Sequence, residues 1–161
     1  MPSSLTEPNS AAILSWFQVF RLDSTLFTVV LFGAVSHKRL YSLRMEKTRD
    51  IWKPQHNNML ILLELEAIKR VNEAIQDPSR ALSDAVIICV MGLVNNGGSD
   101  LMWDENPRLL FQSPLRDLQW LDVYGRLMPN SVHLNGLAQL VKLRGGLEHI
   151  KLPGLAPILS Q

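Results

Sequence analysis

The run AVIICVMGLV, Ala85 to Val94, carries no charged side chain on any face. A helix that is apolar almost all round has no side to offer to water, so it is stable only in the middle of other elements. The chain is long enough to supply them: 161 residues make one domain with a real core. Hydrophobic residues at 47% against 19% charged fit a folded chain and argue against global disorder.

The rest of the sequence is patterned to surround that run. Alternation of the kind that marks strands is missing, and no Asn-Gly links strand-like runs. Ala11 to Phe20 forms a short helix after a loose leader. A second helix runs from about Thr25 towards Met45, capped by Asp23 or Ser24, whose side-chain oxygen accepts the free N–H groups of a first turn. Its first half, LFTVVLFGAV (Leu26 to Val35), is too short to span a bilayer, which needs about 18–20 apolar residues. Its second half keeps Leu40, Leu43 and Tyr41 inward and turns cationic outward, which suits the dipole at that end.

A third helix, Asn57 to Gln76, puts Leu60, Leu63, Ala67, Val71 and Ala74 on one face, with Glu66 and Arg70 paired four apart outside. Asp77-Pro78-Ser79 stops it. Ser79 or Ser83 caps the apolar helix, and Asn95 to Asp100 is a loop. A shorter helix is expected from Leu115 to about Leu127. Ser131 then caps a last one with an apolar stripe of Leu134, Leu137, Leu140 and Val141. The sum is an all-α fold, an irregular helical bundle or open helical array of about five to seven helices. Residues 1–22 are expected as a loosely structured leader with a short helix and residues 23–161 as the helical domain.

Arg144-Gly145-Gly146 invites two functional readings and answers to neither. RGG elements that bind nucleic acid are repeated in flexible chains, whereas this one is single and follows an amphipathic helix. Phosphate loops precede a helix N-terminus, and this glycine pair follows a helix. The pair reads instead as a left-handed helix end, with Leu147 folding back onto the last turn and Lys142 and Arg144 complementing the dipole.

Charge and residue chemistry narrow the function further. Sixteen basic and fifteen acidic residues leave a net charge of +1, no basic excess for a nucleic-acid backbone. The single Cys89 rules out an intrachain disulfide and suits a reducing, intracellular compartment, nuclear or cytoplasmic. It sits in an apolar run where a thiol is a small core residue, not a nucleophile. Met1 to Ser10 lacks the features of a secretory signal. None of His37, His56, His133 and His149 pairs with another histidine or with Cys89 at metal-ligand spacing. No GxSxG elbow occurs, and Asp100, Asp104 and Glu105 read as a solvated loop. The expectation is a protein that is not an enzyme and carries no cofactor or metal. Trp16, Trp52, Trp103 and Trp120 are expected to be core residues first and ligand contacts second.

Three stretches in order carry a family resemblance: LLELEAIKRVNEAIQDP (Leu62 to Pro78), SDAVIICVMGLV (Ser83 to Val94), and LQWLDVYGRLMPNSVHLNGLAQLVKLRGGLEHIKLPGLA (Leu118 to Ala156). Together they resemble the helical regulatory region of fungal binuclear-zinc-cluster transcription factors. The pattern falls on Ala67, Ile68, Asn72, Ile75, Asp77 and Pro78, then Ser83, Asp84, Ile87, Val90 and Leu93. It ends on His133, Gly136, Leu137, Leu140, Val141, Leu143, Arg144, Gly145, Gly146 and Leu147. The resemblance implies an all-helical transcription-regulating domain that works through protein partners, self-association or small effectors. His133 and Arg144, at the two ends of the motif helix, are the polar positions expected to tie it to its neighbours. The zinc cluster needs six cysteines and this chain has one, so it is expected not to read DNA sequence directly; with Leu26 to Val35 too short to span a bilayer, no membrane is expected as a partner. Further helices follow this region in the family, so the chain is expected to be shortened at its C-terminus. The alternative from another class is a helical domain that binds a small hydrophobic ligand, in a pocket lined by Trp103, Trp120 or the Val86 to Val94 helix.

Overall fold

Asp23 opens the architecture. Its Oδ1 accepts the backbone N–H groups of Thr25 and Leu26 at 2.9 and 3.0 Å, which starts one helix where another ends. In the computed structural model, which describes residues 7–44, 54–96 and 129–160, α1 (Glu7–Leu22) gives way here to α2 (Ser24–Arg44) through a bend of 100°. There follow α3 (Pro54–Gln76), α4 (Asp84–Asn96), α5 (Ser131–Leu143), a 3-10 turn (Leu147–His149) and the short α6 (Leu155–Leu159). Among the described residues there is no strand, and the fold is all-α. Thr28, Val29 and Val30, β-branched though they are, lie inside α2.

The central position expected for the apolar run is the one it holds. α4 packs against α2, α3 and α5 and buries Val86 through Val90 together with Leu93 and Val94. Each large aliphatic side chain so buried contributes about 1.5–3 kcal/mol. Leu26, Val29 and Phe32 of α2, Ala67, Val71 and Ala74 of α3 and Leu137 and Leu140 of α5 close around it. α2 and α4 approach closely at Gly92, where a methyl group would stand 2.6 Å from Val29 Cγ1. Ser83 Oγ accepts the Val86 N–H, so Ser83, not Ser79, caps α4. Ser79 instead donates to Asp77 Oδ1 through both its N–H and its hydroxyl, in the turn after α3.

Several expectations need correction. α1 extends beyond the short helix read from the sequence, and it is not loose. Trp16 stacks on Phe20 with ring centroids 6.0 Å apart, and its Nε1 donates to the Pro153 carbonyl at 2.8 Å. Asn130, not Ser131, caps α5, its Oδ1 accepting from Val132 and His133. The Asn130 N–H is in turn held by the Val94 carbonyl at the end of α4, which fixes the cap one residue early. Leu134 and Tyr41 are exposed, because each lies on the side of its helix turned from α4. The helix expected over Leu115 to Leu127, and Trp52, Trp103 and Trp120, lie outside the described residues.

Candidate functional site

The motif helix α5 ends in a turn made by its two glycines. The Gly146 N–H donates to Val141 O and the Gly145 N–H to Lys142 O, each at 3.0 Å. This crossed pair is the Schellman motif. Both glycines have positive φ, 100° and 109°, a conformation in which a Cβ is strained.

The same turn delivers Arg144 to the start of α4. Its Nη2 lies 2.6 Å from Asp84 Oδ1, both side chains nearly buried. The angle of approach falls outside hydrogen-bond geometry, so the contact is ionic. Nη1 donates to the Leu82 carbonyl, and Nε donates to the His149 carbonyl at 3.0 Å. Asp84 Oδ2 accepts the backbone N–H groups of Lys151 and Leu152 at 3.1 and 2.8 Å. One ion pair thus fastens the start of α4, the end of α5 and the segment leading to α6. A planar guanidinium with several fixed donors suits this task where an ammonium does not.

A second ion pair sits at the same end of α4. Arg80 Nη2 donates to Asp23 Oδ2 at 2.8 Å, joining the turn before α4 to the cap of α2. Cys89 lies within the field of both groups. Burial, aided by the Asp23 charge, pushes its thiol up to about 12, which keeps it protonated and unreactive.

The other flank of α5 borders a cavity of about 300 Å³ against α3 and α4. Val90 and Leu93 of α4, Val71 of α3 and Leu140 of α5 form its apolar floor. Each wall is a helix flank at four-three spacing. Ile68, Asn72 and Ile75 of α3 face Val132, Gly136, Gln139 and Leu143 of α5. The α3 stripe continues beyond the cavity through Leu65 and Ile61, both exposed. Val132 and Leu143 are 74% and 71% exposed, so the α5 wall ends in exposed apolar side chains. A Cβ on Gly136 would meet nothing within 4 Å, so that glycine keeps the wall low.

His133 lines the same cavity, half-buried. Desolvation lowers its pKa below the ordinary 6.5, with Glu64 of α3 opposing in part, so the ring is neutral at neutral pH.

The residues marked in the sequence therefore divide between two places. Arg144, Gly145 and Gly146 form the clasp, His133 and Gly136 line the groove, and Leu137 is core. Asp84, a member of the pattern with no role assigned, emerges as the centre of the clasp. The groove walls were missed, although the spacing of Val132, Gly136, Gln139 and Leu143 was there to read. Among the described residues no three His, Cys, Asp or Glu side chains gather as a metal site, and no single helix is long and apolar enough to cross a membrane. Compared with protein-family models, with curated proteins and with solved structures, the chain matches none.

Proposed function

We propose that this chain is a non-enzymatic, transcription-regulator-like helical domain of the kind its motifs resemble, acting inside the cell through a protein partner. The partner's contribution is an amphipathic helix laid in the groove between α3 and α5. One observation carries the reading: two facing walls at four-three spacing, with Ile68 and Ile75 on one and exposed Val132 and Leu143 at the ends of the other, over a floor of α4 side chains. Paired stripes at this spacing are what a third helix packs between, presenting its anchors at i, i+3, i+4 and i+7.

The clasp supports the same reading from behind. A groove recognises a partner only when its walls keep their separation, and Arg144–Asp84 fixes α5 against α4. The domain has no excess positive charge, so it serves its regulator by contact and not by reading DNA.

A reporter assay tests this reading. The chain is joined to an unrelated DNA-binding domain and reporter output is measured in a fungal cell, alone and with Gly136→Trp or Leu143→Glu. Output that responds to the chain and loses that response with either variant, at unchanged melting temperature, is expected. A chain without effect, or variants that respond like the parent, would overturn it.

A second reading rests on the cavity itself. Val90 and Leu93, from the helix expected to line a ligand pocket, form its floor, and about 300 Å³ lies at the small end of the range for ligand sites. A small hydrophobic effector would then occupy the groove, and Gly136→Trp would abolish binding of an apolar fluorescent probe.

A further inference from the structure

The outer face of α2 is built the wrong way round for a chain that stands alone. Thr25, Thr28, Ser36 and Ser42 are buried, while Phe27, Val30 and Leu31 face outward. The hydroxyls of Thr28 and Ser42 are satisfied by the carbonyls of Ser24 and Lys38 one turn back, so their burial costs little. No such account covers the aromatic and aliphatic side chains left in water.

Those side chains form one surface with α1. A depression of about 830 Å³ in the bend between the two helices joins Leu14, Phe17 and Leu22 to Phe27. From Leu31 at 40% to Leu22 at 78%, the large apolar residues of this corner are substantially exposed. Their summed exposed area is on the order of 650 Å², more than the few hundred Å² usual for the largest patch on a monomer. It approaches what each partner buries in a stable interface, roughly 800 Å².

Along α2 the surface runs Phe27, Leu31, Ala34, Lys38, Tyr41. This is the four-three spacing of a helix–helix seam, with one polar position of the kind that sets register. The stripe is close to symmetric about Ala34, its smallest member, as a twofold contact between like surfaces requires. Charge selects the direction. α2 has no acidic residue, and Lys38, the polar position of the seam, lies in its second half. Two copies side by side in parallel would set Lys38 against Lys38. Antiparallel copies centred on Ala34 set Lys38 opposite Val30 and hold the two Lys38 positions about 12 Å apart along the seam, beyond the screening length of roughly 8–10 Å.

We infer that the chain forms a twofold dimer through the outer face of α2, antiparallel about Ala34, with each α1 arm covering the second half of the other copy's α2. The contact uses a face separate from the α3–α5 groove, so it stands or falls independently of the proposed function. The partner it names is a second copy of this chain.

Light scattering after size exclusion, together with cysteine cross-linking, tests the dimer. The expected mass is twice 18.2 kDa at micromolar concentration. Phe17→Glu and Leu31→Glu, each an exposed position, are expected to give monomers whose far-ultraviolet spectra match the parent. Ala34→Cys should oxidise to a covalent dimer, since its copy lies across the axis. Phe27→Cys should not, because the two copies sit about 20 Å apart. The buried Cys89 thiol will not compete. A parent that is monomeric throughout overturns the proposal, as does a dimer that survives both glutamates. So do efficient cross-linking through Phe27→Cys, growth of mass without limit, and a monomer that floats with anionic phospholipid vesicles.

Discussion

Arg144 Nη2 stands 2.6 Å from Asp84 Oδ1, and through that contact the C-cap of the motif helix holds the first residue of the central helix. Neither group is a bystander to the backbone. Arg144 also donates to two carbonyls and Asp84 accepts two N–H groups, and removing either side chain leaves the other's charge nearly buried without its partner. Arg144→Ala and Asp84→Ala are each expected to cost about 3 kcal/mol. The double variant should lose less than the sum, with a coupling of about 1–3 kcal/mol in urea denaturation. Additive losses would mean that the pair does not act as one.

Gly145 has φ near 100°, and a side chain there would also approach the His149 ring at 3.1 Å. Gly145→Val combines a forbidden conformation with that contact, and a loss of about 2 kcal/mol is expected. Melting followed by circular dichroism should show it as a fall of several degrees. An unchanged midpoint would argue against the left-handed turn.

Two helical glycines should answer the same substitution with opposite sign. Gly136 has open space around it, so Gly136→Ala gains helix propensity and should stabilise by about 0.5–1 kcal/mol. Gly92 touches Val29 across the α2–α4 contact, where a methyl would overlap at 2.6 Å. Gly92→Ala is expected to destabilise by about 1–2 kcal/mol after the propensity gain is offset. Equal shifts in denaturation midpoint would remove the distinction between groove wall and core contact.

His133 gives the fold a pH dependence of known sign. Its folded pKa lies below the unfolded value of 6.5, with burial the first cause. Above 6.5 the ring is neutral in both states and no stability is lost. As pH falls through 6.5 the unfolded chain takes up the proton first, so stability drops until the folded pKa is reached. The other side chain acting on the ring is Glu64 of α3, which moderates the shift. Melting midpoints of the parent and His133→Gln should therefore diverge below pH 6.5, with the parent falling faster. Parallel curves would place the histidine in water.

Much of the fold was legible because it rests on neighbours in sequence. The all-round apolarity of Ala85 to Val94 put α4 in the centre, and the stripe of Leu60, Ala67, Val71 and Ala74 gave α3 its inner face. Glu66 and Arg70 meet at 2.7 Å as four-residue spacing requires. Asp23, Ser83 and the Gly145-Gly146 turn were also readable, since a cap or a left-handed turn is decided within a few residues. Asn130 displaced Ser131 as a cap because a carbonyl from another helix, that of Val94, took hold of its N–H.

Short-range geometry settles helical periods, where helices start and stop, and which run has to be surrounded. Which partners meet is settled by packing between segments far apart in the chain. Asp84 was known as a position in a pattern, and Arg144 as a cation suited to a helix end. That the two form a clasp depends on α5 returning to α4, and Leu82, which the same arginine holds, lies 62 residues earlier in the chain. Leu134 and Leu137 both fit an apolar stripe, and packing buried one and exposed the other. A helix flank is apolar whether it meets this chain's core, a partner's helix or a second copy. The difference lies in what the rest of the fold leaves uncovered, a property of the packed whole and not of any residue's neighbours along the chain.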